Sequence, residues 1–268
     1  MYGALLGDMI GAPYEFDRGN KSKEFPLFCE NSRFTDDSVM TIAVAEALLD
    51  SRFLDDDSIR AALIKSMRKW GKKYPDAGYG RKFLCWLREK DPKPYGSCGN
   101  GSAMRVGPVG WAFRTEEETL KAARISAACT HNHPEGIKGA QATALCIFLA
   151  RDGKSKEDIK NTVEAKFDYD LNFTCDGIRD TYQWDATCQG TVPQAIRAFL
   201  DGTDFEDCIR TAISLGGDSD TLACITGSIA EAFYGIPPAL HAQAMHYLPT
   251  HFQQIVAEFE EKYGPKIH

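Results

Sequence analysis

The chain opens with YGALLGDMIGA, in which Gly3, Gly7 and Gly11 recur at every fourth residue. Helical periodicity places all three on one face. Each glycine inside a helix costs about 0.5–1 kcal/mol relative to alanine. Three at this spacing therefore require a smooth face on which another helix, or a ligand, lies at backbone distance. The stretch is apolar except for Asp8, so it reads as a core helix. With Asp8 inside it and no basic leader ahead of it, it does not read as a secretory signal.

The remaining pattern is almost wholly helical. Apolar residues at 3.6 periodicity predict helices over 2–12, 37–50, 57–72, 77–89, 101–112, 116–129, 134–152, 155–166, 176–182, 190–201, 204–215, 220–234 and 237–261. Caps fit several starts: Asp57 and Ser58 precede IRAALIKSM, and Thr115 with Glu118 forms a capping box. Period-2 strand patterns are nearly absent, and no linker or repeat divides the chain. The expected architecture is all-α, one compact multi-helix domain over residues 1–268. A hydrophobic share of 43% in 268 residues supports such a core. A net charge of −7 argues against a general nucleic-acid or anionic-membrane binder. No apolar run reaches the roughly 18 residues of a membrane span. Nine cysteines without a CxxC pair read as small buried hydrophobes in a reducing cytosol.

Two stretches place acids directly before apolar helices: RFTDDSVMTIAVAEALL, residues 33–49, and SLGGDSDTLACITGSIAEAFYG, residues 214–235. One reading makes Asp36, Asp37, Asp218 and Asp220 helix caps that complement the macrodipole. The other brings them together near the core. Carboxylates about 4 Å apart repel by roughly 4 kcal/mol at an effective dielectric of 20, which only protonation or a cation relieves. With the hydroxyls of Thr35 and Thr221 the donors are all hard oxygens, suited to Mg²⁺ or Mn²⁺ rather than zinc. Four acids suit two ions better than one.

Further candidates lie elsewhere. GSCGNGSAMR, residues 96–105, is a glycine-rich turn entering a helix, whose backbone N–H groups are suited to a phosphate. In CTHNHPEG, residues 129–136, His131 ends one helix and His133 with Pro134 starts the next; the spacing is weak for zinc. The aromatic pair of YQW, residues 182–184, is expected to pack in the core rather than stack on a base.

Taken together, these motifs resemble the ADP-ribosylglycohydrolase family, of the kind that includes dinitrogenase reductase-activating glycohydrolase. The resemblance runs through GALLGDMIGAPYEF, RFTDDSVMTIAVAEALL, GSCGNGSAMRVGPVG, ACTHNHPEGIKGAQATA and the long segment from GTVPQAIRAF to AFYGIP, in that order. It implies an all-helical fold with two divalent cations in a cleft, Mg²⁺ ahead of Mn²⁺. Thr35, Asp36 and Asp37 match the TDD motif, and Asp218, Asp220 and Thr221 match D-x-D-T, with Asp220 in the place of the bridging carboxylate. Glu15 matches the catalytic glutamate of the flap. Ser97, Gly99, Asn100 and Gly101 match the loop that holds the diphosphate and ribose, and His131 matches the ligand-contacting histidine. Ser38 departs from the usual threonine but keeps the hydroxyl, and the flap between Glu15 and Thr35 is short.

The resemblance implies a hydrolase that removes ADP-ribose from a protein side chain or other acceptor by cleaving at C1 of the distal ribose. Cleavage passes through an oxocarbenium-like state, with Glu15 or Asp37 as the acid–base group. The expected partners are an ADP-ribosylated protein or small molecule as substrate and ADP-ribose as product. Neither membrane nor nucleic acid is expected as a partner, and a cytoplasmic monomer is the expected state. Two alternatives stand beside it: another dinuclear-metal hydrolase of nucleotides or phosphate esters, and a non-catalytic ADP-ribose-binding relative.

Overall fold

In the computed structural model, which describes residues 1–16, 21–50 and 55–264, regular structure is helical. In chain order the helices are α1 Tyr2–Gly11, α2 Asp36–Asp50, α3 Asp56–Lys73, α4 Arg81–Arg88, α5 Gly101–Met104, α6 Gly107–Ala112, α7 Glu116–Ala128 and α8 Pro134–Arg151. They continue as α9 Lys156–Phe167, α10 Cys175–Ile178, α11 Cys188–Asp201, α12 Phe205–Ile213, α13 Ser219–Tyr234, α14 Pro238–Tyr247 and α15 Thr250–Tyr263. A short 3₁₀ turn, Ala12–Tyr14, follows α1. The extended pairing among the described residues is one isolated bridge, Gly99 to Thr187. No helix among them is long and apolar enough to cross a membrane.

All ten residues of α1 are buried, and its glycine face lies on α13. A Cβ built at Gly7 would sit 2.0 Å from the Ala223 carbonyl oxygen. At Gly3 it would lie 2.1 Å from the Gly227 oxygen, and at Gly11 2.6 Å from the Asp220 Cα. The two helices therefore touch backbone to backbone and run antiparallel, Gly3 against Gly227 and Gly11 against Asp220. Glu231 of α13 accepts the N–H groups of Tyr2 and Gly3 at 3.1 and 2.8 Å, capping α1 from across the interface. This pairing sets the end of α1, and the turn after it, beside the first residues of α13.

Several predicted boundaries move for identifiable reasons. The helix expected over 101–112 is two, because Pro108 has no N–H for the Met104 carbonyl. That carbonyl is bonded instead by Thr41 Oγ1 at 3.4 Å and Cys224 Sγ at 3.3 Å. The helix expected over 237–261 breaks before Pro249, which holds Leu248 extended. The start predicted at 77 falls to Arg81 because Gly78 has φ +113° and Gly80 is extended. The 176–182 helix stops at Ile178. Helix α3 is capped not by Asp57 or Ser58 but by Asp55, whose carboxylate accepts Ser58 N at 2.7 Å. Thr115 and Glu118 form the expected capping box.

Candidate active site

The capping question is decided by a residue the sequence reading passed over. Asp8, from the middle of α1, has no exposed surface. Its carboxylate accepts Thr35 N at 2.8 Å, Thr35 Oγ1 at 2.6 Å, Ser38 N at 3.0 Å and Ser38 Oγ. The first turn of α2 is thus capped from α1, and the hydroxyl retained at Ser38 serves in it. Asp36 and Asp37 are left for other work. Asp218 occupies the cap position of α13, yet its side chain makes no capping bond there. Its Oδ2 accepts from Asn100 Nδ2 at 2.7 Å instead. Gly216 and Gly217, with φ +71° and +70°, make the turn that delivers it. The one signal for Asp8 in the sequence was a charge inside an otherwise apolar, glycine-punctuated helix: a carboxylate buried there must find donors.

The acids converge. Oxygens of Asp8, Asp37 and Asp220 lie within 4.8 Å of one another, as do those of Glu15, Asp218 and Asp220, so Asp220 is common to both groups. Thr221 Oγ1 donates to Asp37 Oδ2 at 3.2 Å, while Asp37 Oδ1 is buried without a partner. Asp36 lines the same cavity but belongs to neither triad. Burial first, and then the neighbouring carboxylates, push Asp36, Asp37 and Asp220 well above the usual carboxylate range. Asp218 is raised to about 6, chiefly by burial. Burial also raises Asp8, against the lowering effect of its bonds from Ser38 and Thr35. An orphaned carboxylate oxygen among crowded acids, all donors being hard oxygens, fits divalent cations.

The cavity lined by Glu15, Asp36, Asp37, Asp218 and Asp220 has a volume of about 420 Å³, within the range of small-molecule sites. The Ser97–Gly101 loop and His131 line the wall with Tyr95 and Arg105. Asn100 also donates to Thr191 Oγ1 at 3.0 Å, and its own N–H bonds the Ala186 carbonyl at 2.8 Å. Gly99 N is held by Ser97 Oγ at 3.1 Å. Two of the loop N–H groups expected to be open to a phosphate are therefore engaged within the protein. His133 caps α8 as expected, accepting Glu135 N at 3.1 Å. His131 is buried, and burial together with the Arg105 charge pushes it well below the ordinary imidazole value.

The YQW expectation is corrected. Tyr182 is half-buried, but Trp184 is 47% exposed and lines the cavity with Phe16, itself 54% exposed. Their rings stack at 6.1 Å and 29°. Phe16 stands at φ +59° with its N–H on the Gly217 carbonyl at 3.0 Å, so the residue after Glu15 is tied to the turn before Asp218. Aromatic count alone could not separate this rim position from a core one. Arg81 and Lys82, at the start of α4, are exposed and add positive charge to the rim.

The fold is all-helical and carries a buried acidic cluster beside a glycine loop, and comparison with known proteins places the chain in a family. The ADP-ribosylglycohydrolase family profile matches residues 1–266, and the chain belongs to that family. ADP-ribosylhydrolase ARH3 of Mus musculus is 28% identical, the match spanning 97% of this chain and 86% of the relative. The ADP-ribosylarginine hydrolase Tri1 of Pseudomonas putida is 24% identical over 88% of this chain and 70% of its own length. A solved structure titled "ADP-ribosylglycohydrolase-related protein complex" superposes with a TM-score of 0.73 at 24% identity, covering 97% of this chain and 95% of that one. That likeness supports the all-α fold.

Proposed function

We propose that this protein is a divalent-metal-dependent ADP-ribosylglycohydrolase, which releases ADP-ribose by hydrolysing the bond from C1 of the distal ribose to a protein side chain or other acceptor. The observation that carries this reading is the convergence of Glu15, Asp37, Asp218 and Asp220 on the cavity of the Ser97–Gly101 loop, with Asp220 common to two carboxylate triads. Family membership and relatives named for hydrolysis of ADP-ribose linkages support it.

Asp37, Asp218 and Asp220 would hold the ions, with Asp36, Thr35 and Thr221 around them and Mg²⁺ ahead of Mn²⁺. Bound there, two divalent cations supply positive charge and Lewis acidity toward the ribose. Glu15 is the better placed of the two candidate acid–base groups. It is only half-buried, follows the 3₁₀ turn and lines the cavity, whereas Asp37 is closed in by Asp8, Asp220 and Thr221. Glu15 is therefore assigned to accept the proton of the attacking water. Asn100 positions Asp218, and the loop with His131 orients the diphosphate and ribose. Arg81 and Lys82 favour a diphosphate electrostatically at the rim. The free cysteines and the small, anionic chain fit a cytoplasmic monomer.

The test is a panel of arginine-, serine- and nucleobase-linked ADP-ribose substrates assayed with Mg²⁺, with Mn²⁺ and with chelator. Metal-dependent release of intact ADP-ribose is expected from at least one linkage. Glu15→Gln should lower turnover by roughly 10²–10⁴-fold while binding of ADP-ribose is kept. Stoichiometric binding without turnover, or cleavage of the diphosphate, would overturn the reading.

A further inference from the structure

Arg105 is a buried cation that the proposed chemistry leaves unused. It is 1% exposed, sits on the cavity wall, and among the described residues no carboxylate pairs with it. Its Nη2 donates to the Ser126 carbonyl and to Thr130 Oγ1, both at 2.8 Å, and its Nε has no partner. A guanidinium held this way, in a site crowded with acids, is suited to directing other polar groups rather than neutralising one.

The group it directs is Thr130. That hydroxyl, on a side chain with no exposed surface, meets two neighbours: Arg105 Nη2 at 2.8 Å and His131 Nδ1 at 2.6 Å. A hydroxyl gives one proton and accepts two. Arg105 can only donate, so it takes one acceptor position. Thr130 then has its own proton to give, and His131 Nδ1 is left to receive it. The opposite arrangement would leave the buried Thr130 proton without an acceptor among the described residues, which costs more than the net worth of a normal hydrogen bond.

With Nδ1 accepting and the ring uncharged, the imidazole proton lies on Nε2. This atom approaches the glycine loop closely. It stands 3.1 Å from where a Cβ at Gly101 would be and 3.6 Å from one at Gly99. Among the described residues nothing bonds it. The two glycines give the ring edge its place, and the ring lines the cavity.

We infer that Arg105 and Thr130 form a positioning relay that fixes His131 as the Nε2–H tautomer, making it an uncharged donor toward an oxygen of the ligand seated in the Ser97–Gly101 loop. The identity of that ligand as ADP-ribose rests on the proposed function; the relay itself does not. Thr130 acts here through His131 and touches no reacting atom.

The experiment is a long-range ¹H–¹⁵N spectrum of the full chain labelled at histidine nitrogen, with His131 assigned by loss of its signals in His131→Gln. The expected wild-type pattern is an unprotonated Nδ1 and a protonated Nε2 at neutral pH. A protonated Nδ1 or a charged ring would overturn the inference. Thr130→Val keeps the shape and removes the hydroxyl. It should mix the tautomers and weaken ADP-ribose binding by roughly three- to tenfold, as for one lost neutral hydrogen bond. Thr130→Ser should restore both. An unchanged spectrum in Thr130→Val, or equal loss of affinity in the valine and serine variants, would refute the relay. If the valine variant fails to fold, the wild-type and serine spectra decide. If wild type does not bind ADP-ribose, the proposed function falls, while the spectrum of the free protein still reads the tautomer.

Discussion

Gly7→Ala tests whether backbone contact between α1 and α13 builds the site. On an isolated helix the change would stabilise by about 0.5–1 kcal/mol. Here the new Cβ would lie 2.0 Å from the Ala223 oxygen, 2.3 Å from the Ala223 carbonyl carbon and 2.6 Å from Cys224 N. Real Cβ atoms essentially never come within 3.0 Å, so one helix must retreat by about 1 Å. The obstacle is backbone, which no rotamer change relieves. Overpacking of this kind costs about 1–3 kcal/mol, and a gap of about 1 Å along the seam forfeits a quarter to a half of its dispersion attraction. Taking the upper end and subtracting the helix-propensity gain leaves a net loss of about 2 kcal/mol. For a chain of this size that is roughly 4–8 °C in Tm. The displacement also moves Asp8 relative to Asp220, two acids of one triad. Thermal melting with and without excess Mg²⁺ or Mn²⁺ gives both readings: a lower Tm in chelator and a smaller rise on adding metal. Gly80→Ala is the stability control, because a Cβ there meets nothing within 4 Å. A Gly7→Ala protein as stable as wild type, with an undiminished metal response, would refute the reasoning.

Asparagine caps a helix as well as aspartate, so Asp220→Asn would be near neutral if Asp220 were a cap. As the acid common to both triads it should instead lose most of the metal-dependent gain in Tm and most turnover, with the metal-free protein unchanged or more stable; an equal metal response in both proteins refutes the site. Asn100→Ala is expected to weaken ADP-ribose binding by calorimetry and also to lower metal affinity, because the amide holds Asp218 at 2.7 Å; unaltered affinity for both ligands counts against the loop. Without metal, stability should fall as pH rises. The raised acids bind protons more tightly folded than unfolded, so their contribution is complete below the ordinary value and is lost through the folded one, for Asp218 from 3.8 to about 6. Urea denaturation in chelator between pH 4 and 7 checks this, saturating metal should flatten the slope, and a metal-free stability that rises with pH would refute it.

The local chemistry of this chain is written in its sequence. Glycines at 3, 7 and 11 require a close backbone neighbour whatever the fold, and Thr115 with Glu118 starts a helix by bonds made within four residues. The acids before α2 and α13, with their flanking hydroxyls, announce hard-oxygen chemistry by residue type. What periodicity could not tell was which partner answers each demand. The glycine face specifies a neighbour without naming α13. A carboxylate at a helix start looks the same whether it caps its own helix or faces a cavity. That ambiguity was removed by Asp8, which reaches from α1 to cap α2, and by Asn100, which draws the Asp218 side chain to the glycine loop. Trp184 shows the same limit: burial depends on what packs over a ring, and the turn at Gly216–Gly217 with Phe16 leaves it on the cavity rim. Hydrogen-bond acceptors and packing surfaces are supplied by residues distant in the chain. Sequence therefore determined the elements and the donor types, and tertiary structure alone decided which acids share a cavity and which serve as caps.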